Sequence, residues 1–118
     1  DGTIKIFSRI DSPGHYQPLR GPEHVFRGIA FGGPHTISTV ELSFDRAKTW
    51  QEAELEPTLS PYSWVIWNYR WHPPKPGKYQ VAVRATDAKG NLQIAELVRP
   101  QPAGASGYHT IIADVEEV

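Results

Sequence analysis

The backbone of this chain is interrupted too often for long helices. Ten Gly and 11 Pro occupy 21 of its 118 positions, and each residue of either kind weakens or breaks a helical interior. They gather with turn-forming polar residues at Asp11-Ser12-Pro13-Gly14, Gly21-Pro22, Gly32-Gly33-Pro34, Pro73-Pro74-Lys75-Pro76-Gly77 and from Pro100 to Gly107. Between them apolar residues recur with period two rather than 3.6. Ile4 and Ile6 against Lys5 predict a short first strand, and His24 to Phe31 predicts another that stops at Gly32-Gly33-Pro34. Val40, Leu42 and Phe44 oppose Glu41, Ser43 and Asp45, the pattern of a strand with one wet face. After a polar turn at Asp45 to Lys48, Trp50 to Leu55 is expected to return as its partner. Ser63 to Trp71 places Trp64 and Ile66 on one side and Val65, Trp67, Tyr69 and Trp71 on the other. Tyr79, Val81, Val83 and Ala85 form the clearest alternation, followed by a hairpin loop at Asp87 to Asn91 with Gly90 suited to a left-handed position. Leu92 to Val98 can pair back, and Tyr108 to Val115 supplies a last strand with Ile111, Ala113 and Val115 on one face. The expected fold is all-β: an immunoglobulin-like antiparallel β-sandwich of the E-set type with about seven to eight strands, ahead of an OB-type barrel.

A chain of this length suits one ordinary domain, residues 1–118, able to bury a core without staples. It contains no Cys, which removes disulfides, thiol nucleophiles and cysteine metal clusters from consideration. A formal charge of −1 argues against a nucleic-acid partner. Neither a long apolar run for a membrane span nor a basic segment leading into an apolar stretch is visible. Because the chain begins with Asp1 rather than Met, it is expected to be a processed product or a fragment of a longer polypeptide.

The side chains that could carry chemistry do not assemble into a motif. His15, His24, His35, His72 and His109 never stand two or four apart, the spacings that set two ligands on one side of a strand or helix. His109 is the most interesting of them, since it opens the last strand beside a crossover of small residues. No Ser lies in a Gly-x-Ser-x-Gly turn, the loop from Asp87 to Asn91 lacks the series of oxygen donors that collects calcium, and neither glycine cluster precedes a Lys-Ser/Thr pair at a helix start. We therefore expect no catalytic, cofactor-binding or metal-binding residue on this chain. What stands out is an aromatic concentration, Tyr62, Trp64, Trp67, Tyr69 and Trp71, with three of the four Trp residues in it. It reads as internal packing, as a protein interface through Trp67, Tyr69 and Trp71, or as a carbohydrate-stacking platform built from the Trp64 to Trp71 aromatics.

Taken in order, these pieces resemble the C-terminal immunoglobulin-like domain of the sulfite oxidase family of molybdenum enzymes, the Mo-co oxidoreductase dimerisation domain. Gly28-Ile29-Ala30 resembles the Gly-x-Ala of the family's second strand. Val40 to Asp45 with Thr49-Trp50 is similar to its Val-x-Val-Ser-x-Asp-x-Gly-x-Thr-Trp strand and turn. Trp64 and Trp67 match its Trp-x-x-Trp, and Pro76-Gly77-Lys78-Tyr79 its Pro-Gly-x-Tyr. Arg84 to Asp87 with Gly90 and Gln93 match its Arg-Ala-x-Asp-x-x-Gly-x-x-Gln, while Gly104, Gly107 and His109 resemble its closing crossover and His. Two departures stand out. Ala47 occupies a position where the family has Gly, so the turn either avoids positive φ there or bears a steric cost, and Pro100-Gln101-Pro102 replaces a Trp-Asn pair.

The resemblance implies a non-catalytic interaction and dimerisation module of a sulfite-oxidase-like, molybdopterin-dependent oxidoreductase. In this family molybdenum-molybdopterin is held by a separate preceding domain through a Cys that this chain lacks. The implied partners are that cofactor-bearing domain, on the same or another chain, and a second copy in a homodimer. A periplasmic or extracytoplasmic location follows from the resemblance alone. The carbohydrate-binding module remains the competing reading.

Overall fold

The computed structural model describes residues 6–57, 64–94 and 108–117. Expectations for Ile4, Tyr62, Leu92 to Val98 beyond residue 94, and the segment from Pro100 to Gly107 fall wholly or partly outside those residues. Every regular element among the described residues is a strand, and these strands form two facing sheets. One runs in the order β1 (Phe7–Ser12), β3 (His24–Phe31), β7 (Trp64–Trp71) and β6 (Glu54–Leu55). The other runs β2 (Pro18–Leu19), β9 (Thr110–Val115), β8 (Gly77–Asp87), β4 (Ile37–Ser43) and β5 (Gln51–Glu52). The pairings are antiparallel except β2 with β9, which is parallel, so the immunoglobulin-like sandwich carries one mixed edge.

The alternation legible in the sequence becomes the core. Phe26 and Ala30 of β3, Val40 and Leu42 of β4, Val81, Val83 and Ala85 of β8, and Ile111, Ala113 and Val115 of β9 all point between the sheets. At one end the two layers are joined by aromatic rings. Phe44, just past β4, stacks on Trp71 of β7 at 4.6 Å between centroids and 12° between planes, while Phe26 and Tyr79 meet Trp71 edge-on at 5.6 and 4.9 Å.

The expected strand from Trp50 to Leu55 is divided between the layers. Glu41 pairs with Glu52 in one sheet, whereas Leu55 pairs with Trp67 in the other. Ala53, buried between these two pairings, donates its N–H to Val40 O at 2.7 Å. A segment this short can cross from sheet to sheet because each half keeps its backbone donors satisfied on its own side.

Candidate functional site

The strand with the most aromatic residues also has the most informative geometry. Trp67 is 0% and Trp71 6% exposed, and Tyr69 is half-buried with its ring 5.6 Å from Phe44. The expected interface of Trp67, Tyr69 and Trp71 is therefore corrected, because these side chains have been spent on the core. Trp67 packs over β3 where Gly28 leaves room: a Cβ built on Gly28 would stand 2.6 Å from the indole and would collide with Arg9 O. The indole N–H donates to Ile29 O at 3.2 Å, which satisfies its polar edge inside the sandwich. The carbohydrate platform fails for the same reason. Trp64 faces outward while Trp67 and Trp71 face inward, so the Trp residues of β7 do not share a face.

What β7 does present outward is a cross-strand apolar patch. In register, Phe7 of β1 stands opposite Phe31 of β3, and Phe31 opposite Trp64 of β7; in the next outward row Ile29 stands opposite Ile66. The Phe31 and Trp64 rings are 5.0 Å apart. Phe7, Trp64 and Ile66 are each more than two-fifths exposed, an unusual concentration for the wet face of a sheet. Polar residues flank it: Arg9 is paired with Asp11, Arg27 with Glu56 at 2.8 Å, and Arg70 with Glu23 at 2.7 Å. Hydrogen bonds from Arg27 and Asn68 hold the Glu56 carboxyl below its usual range, so the Arg27–Glu56 pair is ionised at neutral pH.

The motif residues noted in the sequence are occupied with folding. Asp45 accepts hydrogen bonds from the Thr49 hydroxyl (2.6 Å), the Thr49 and Lys48 N–H groups and the Ser43 hydroxyl, while Ser43 Oγ accepts from Ala47 N–H. Led by the Thr49 hydroxyl, these donors push the Asp45 carboxyl down to about 2. Tyr79 OH donates to Lys75 O at 2.6 Å, locking the turn that Gly77 opens at φ 143°. Asp87 closes its hairpin by accepting from Lys89 N–H, Asn91 N–H and the Asn91 amide, and Gly90 sits at φ 87°. Arg84 is held by Glu41 at 2.9 Å and lies 4.0 Å above the Trp50 ring. Gln93 Oε1 takes the Ser8 hydroxyl at 2.6 Å and Ala85 N–H at 3.1 Å, tying β1 to the opposite sheet.

His109 belongs to that same closure. Its Nδ1 accepts the Ile10 N–H of β1 at 2.9 Å, and burial lowers its pKa; Arg9 and His15 add to the lowering while Asp11 opposes it. His15 makes the parallel contact, its Nδ1 accepting Ile112 N–H of β9 at 2.9 Å. Sequence reasoning flagged His109 but missed His15, whose role depends on a loop reaching a strand 97 residues later.

These features agree with the comparisons. The family model of the Mo-co oxidoreductase dimerisation domain matches residues 3–103. This chain belongs to that family. Rat mitochondrial sulfite oxidase is 31% identical over 96 residues, which covers 76% of this chain and 18% of the rat protein. The crystal structure of the sulfane dehydrogenase SoxCD from Paracoccus pantotrophus superposes with a TM-score of 0.72 at 22% identity, covering 98% of this chain and 33% of that one. An engineered protein shares the fold at a TM-score of 0.56 and 16% identity. The chain thus spans well under half the length of the relatives it matches.

A dimerisation domain of molybdenum-cofactor enzymes raises the question of whether its own residues fit the metal. They do not: the sequence has no thiolate, and among the described residues no three His, Cys, Asp or Glu side chains converge as a ligand set. No helix among the described residues is long and apolar enough to cross a membrane.

Proposed function

We propose that this dimerisation domain is the non-catalytic assembly module of a sulfite-oxidase-like oxidoreductase whose molybdenum-molybdopterin is held by another domain, on the same or another chain. The observation that carries the reading is the family match over residues 3–103, combined with motif residues such as Thr49, Asp87 and His109 that are engaged in turns and sheet closure. A domain built this way contributes a rigid surface rather than a reacting group. Its energetic contribution is buried apolar area, about 25 cal/mol per Å² before the cost of association is subtracted.

The native protein tests this directly. Purified from its source, it should carry molybdenum on a polypeptide or complex larger than this chain and sediment as an assembly with paired domains. A native species of this chain alone, monomeric and without a molybdenum-bearing partner, would refute the proposal.

A further inference from the structure

We infer that the outer face of the four-stranded sheet, centred on Trp64 and Ile66, is the surface on which a second copy of this domain docks; this rests on the self-association reading above and assigns its location. The first argument is apolar content. Phe7, Phe31 and Trp64 make one continuous cross-strand row and Ile29 and Ile66 the next, all on the side of the sheet turned away from the core. Two such faces pack as sheet on sheet, the arrangement that already forms this domain's own interior.

The second argument is charge. Arg9, Arg27 and Arg70 border the patch on the same outward positions, and each is already paired with a carboxylate of its own chain: Asp11, Glu56 and Glu23. Glu54 lies beyond them at the far edge of the sheet. A face neutralised internally offers little to a strongly charged partner. It does meet the requirement of an isologous two-fold contact, in which every residue approaches the surface it belongs to and uncompensated like charges would repel.

The opposite sheet is a weaker candidate. Along β8 and β9 its outward positions are Lys78 paired with Asp114, Gln80 beside Ile112, and Arg84 held by Glu41 and Trp50. Ile112 is the one large aliphatic side chain on those two strands' outward positions, against the five clustered apolar residues of the four-stranded sheet.

Sedimentation equilibrium on the wild-type chain, on a Trp64→Ala/Ile66→Thr double variant and on Lys78→Ala tests the assignment, with thermal midpoints confirming that each is folded. The double variant should weaken self-association by roughly tenfold or more, as loss of a central aromatic anchor does, while Lys78→Ala leaves it unchanged. Because the chain has no Cys, Ile66→Cys and Lys78→Cys add an independent readout under a short bismaleimide. Ile66→Cys should give the covalent dimer and Lys78→Cys should not. A wild-type dimer that the double variant leaves intact, or that crosslinks through Lys78→Cys instead, overturns this face and leaves the dimerisation reading standing. A wild-type chain that stays monomeric at high concentration overturns both.

Discussion

At the scale of single residues, three positions turn local geometry into measurable stability. Gly28 has no room for a side chain, since its Cβ would collide with both the backbone of β1 and the indole of Trp67. Gly28→Ala should therefore cost about 3 kcal/mol or more, read as a lower urea midpoint. Ala47 resolves the alternative posed by its place in the turn motif: it adopts φ 66°, next to Arg46 at 63°, and so bears the steric cost. The turn tolerates this because Ser43 and Asp45 hold four of its N–H and hydroxyl groups. Ala47→Gly should relieve the strain and stabilise the fold by about 0.5–1 kcal/mol in the same assay. His109 couples stability to pH. Its Nδ1 must be unprotonated to accept the Ile10 N–H, and its folded pKa lies below the ordinary value. The folded state therefore favours neutral imidazole. Its contribution is complete above about pH 6.5 and is lost as pH falls through the lowered folded value. Denaturation between pH 8 and 5 should show that loss, and His109→Ala should flatten it while lowering stability at pH 8 by about 1–2 kcal/mol.

At the scale of an element, β7 divides its aromatic residues between two jobs. Trp67 is enclosed by Gly28 and the facing sheet, so Trp67→Ala should cost about 3–5 kcal/mol of stability. Trp64, three residues earlier on the outward face, packs against Phe31 and is 44% exposed. Trp64→Ala should cost within about 1 kcal/mol in the same denaturation experiment, and its main effect belongs to association. The split segment between β4 and β7 shows where periodicity reaches its limit. Trp50 to Leu55 reads as one strand because each residue is locally compatible with extended backbone. Its division between sheets is decided by which edges stand within reach, Glu41 and Leu42 on one side and Trp67 and Asn68 on the other.

At the scale of the whole molecule, the residues most recognisable in the sequence are the ones with no reacting partner. Ser43, Asp45, Thr49, Tyr79, Asp87, Gln93 and His109 all end in backbone turns or inter-sheet clamps. The motif is the signature of a rigid frame. In the proposed assembly this frame displays the outer face of the four-stranded sheet, where Phe7, Val25, Trp64 and Ile66 are exposed.

The sequence by itself located β3, β4, β7, β8 and β9, the turns that separate them and the family, because period-two alternation and the φ demands of Gly, Pro and Asx residues act over a few neighbours. β1 lies at Phe7–Ser12 rather than around Ile4 and Ile6, and β2 at Pro18–Leu19 had no counterpart among the expected strands. It also determined that no thiolate is available for a metal. Only the tertiary structure decided which side of β7 faces inward. Alternation states which residues share a face, but a strand apolar on both faces is symmetric under exchange of inside and outside. That symmetry was broken by contacts distant in the chain: the gap over Gly28 that admits Trp67, and the Phe44 ring that receives Trp71.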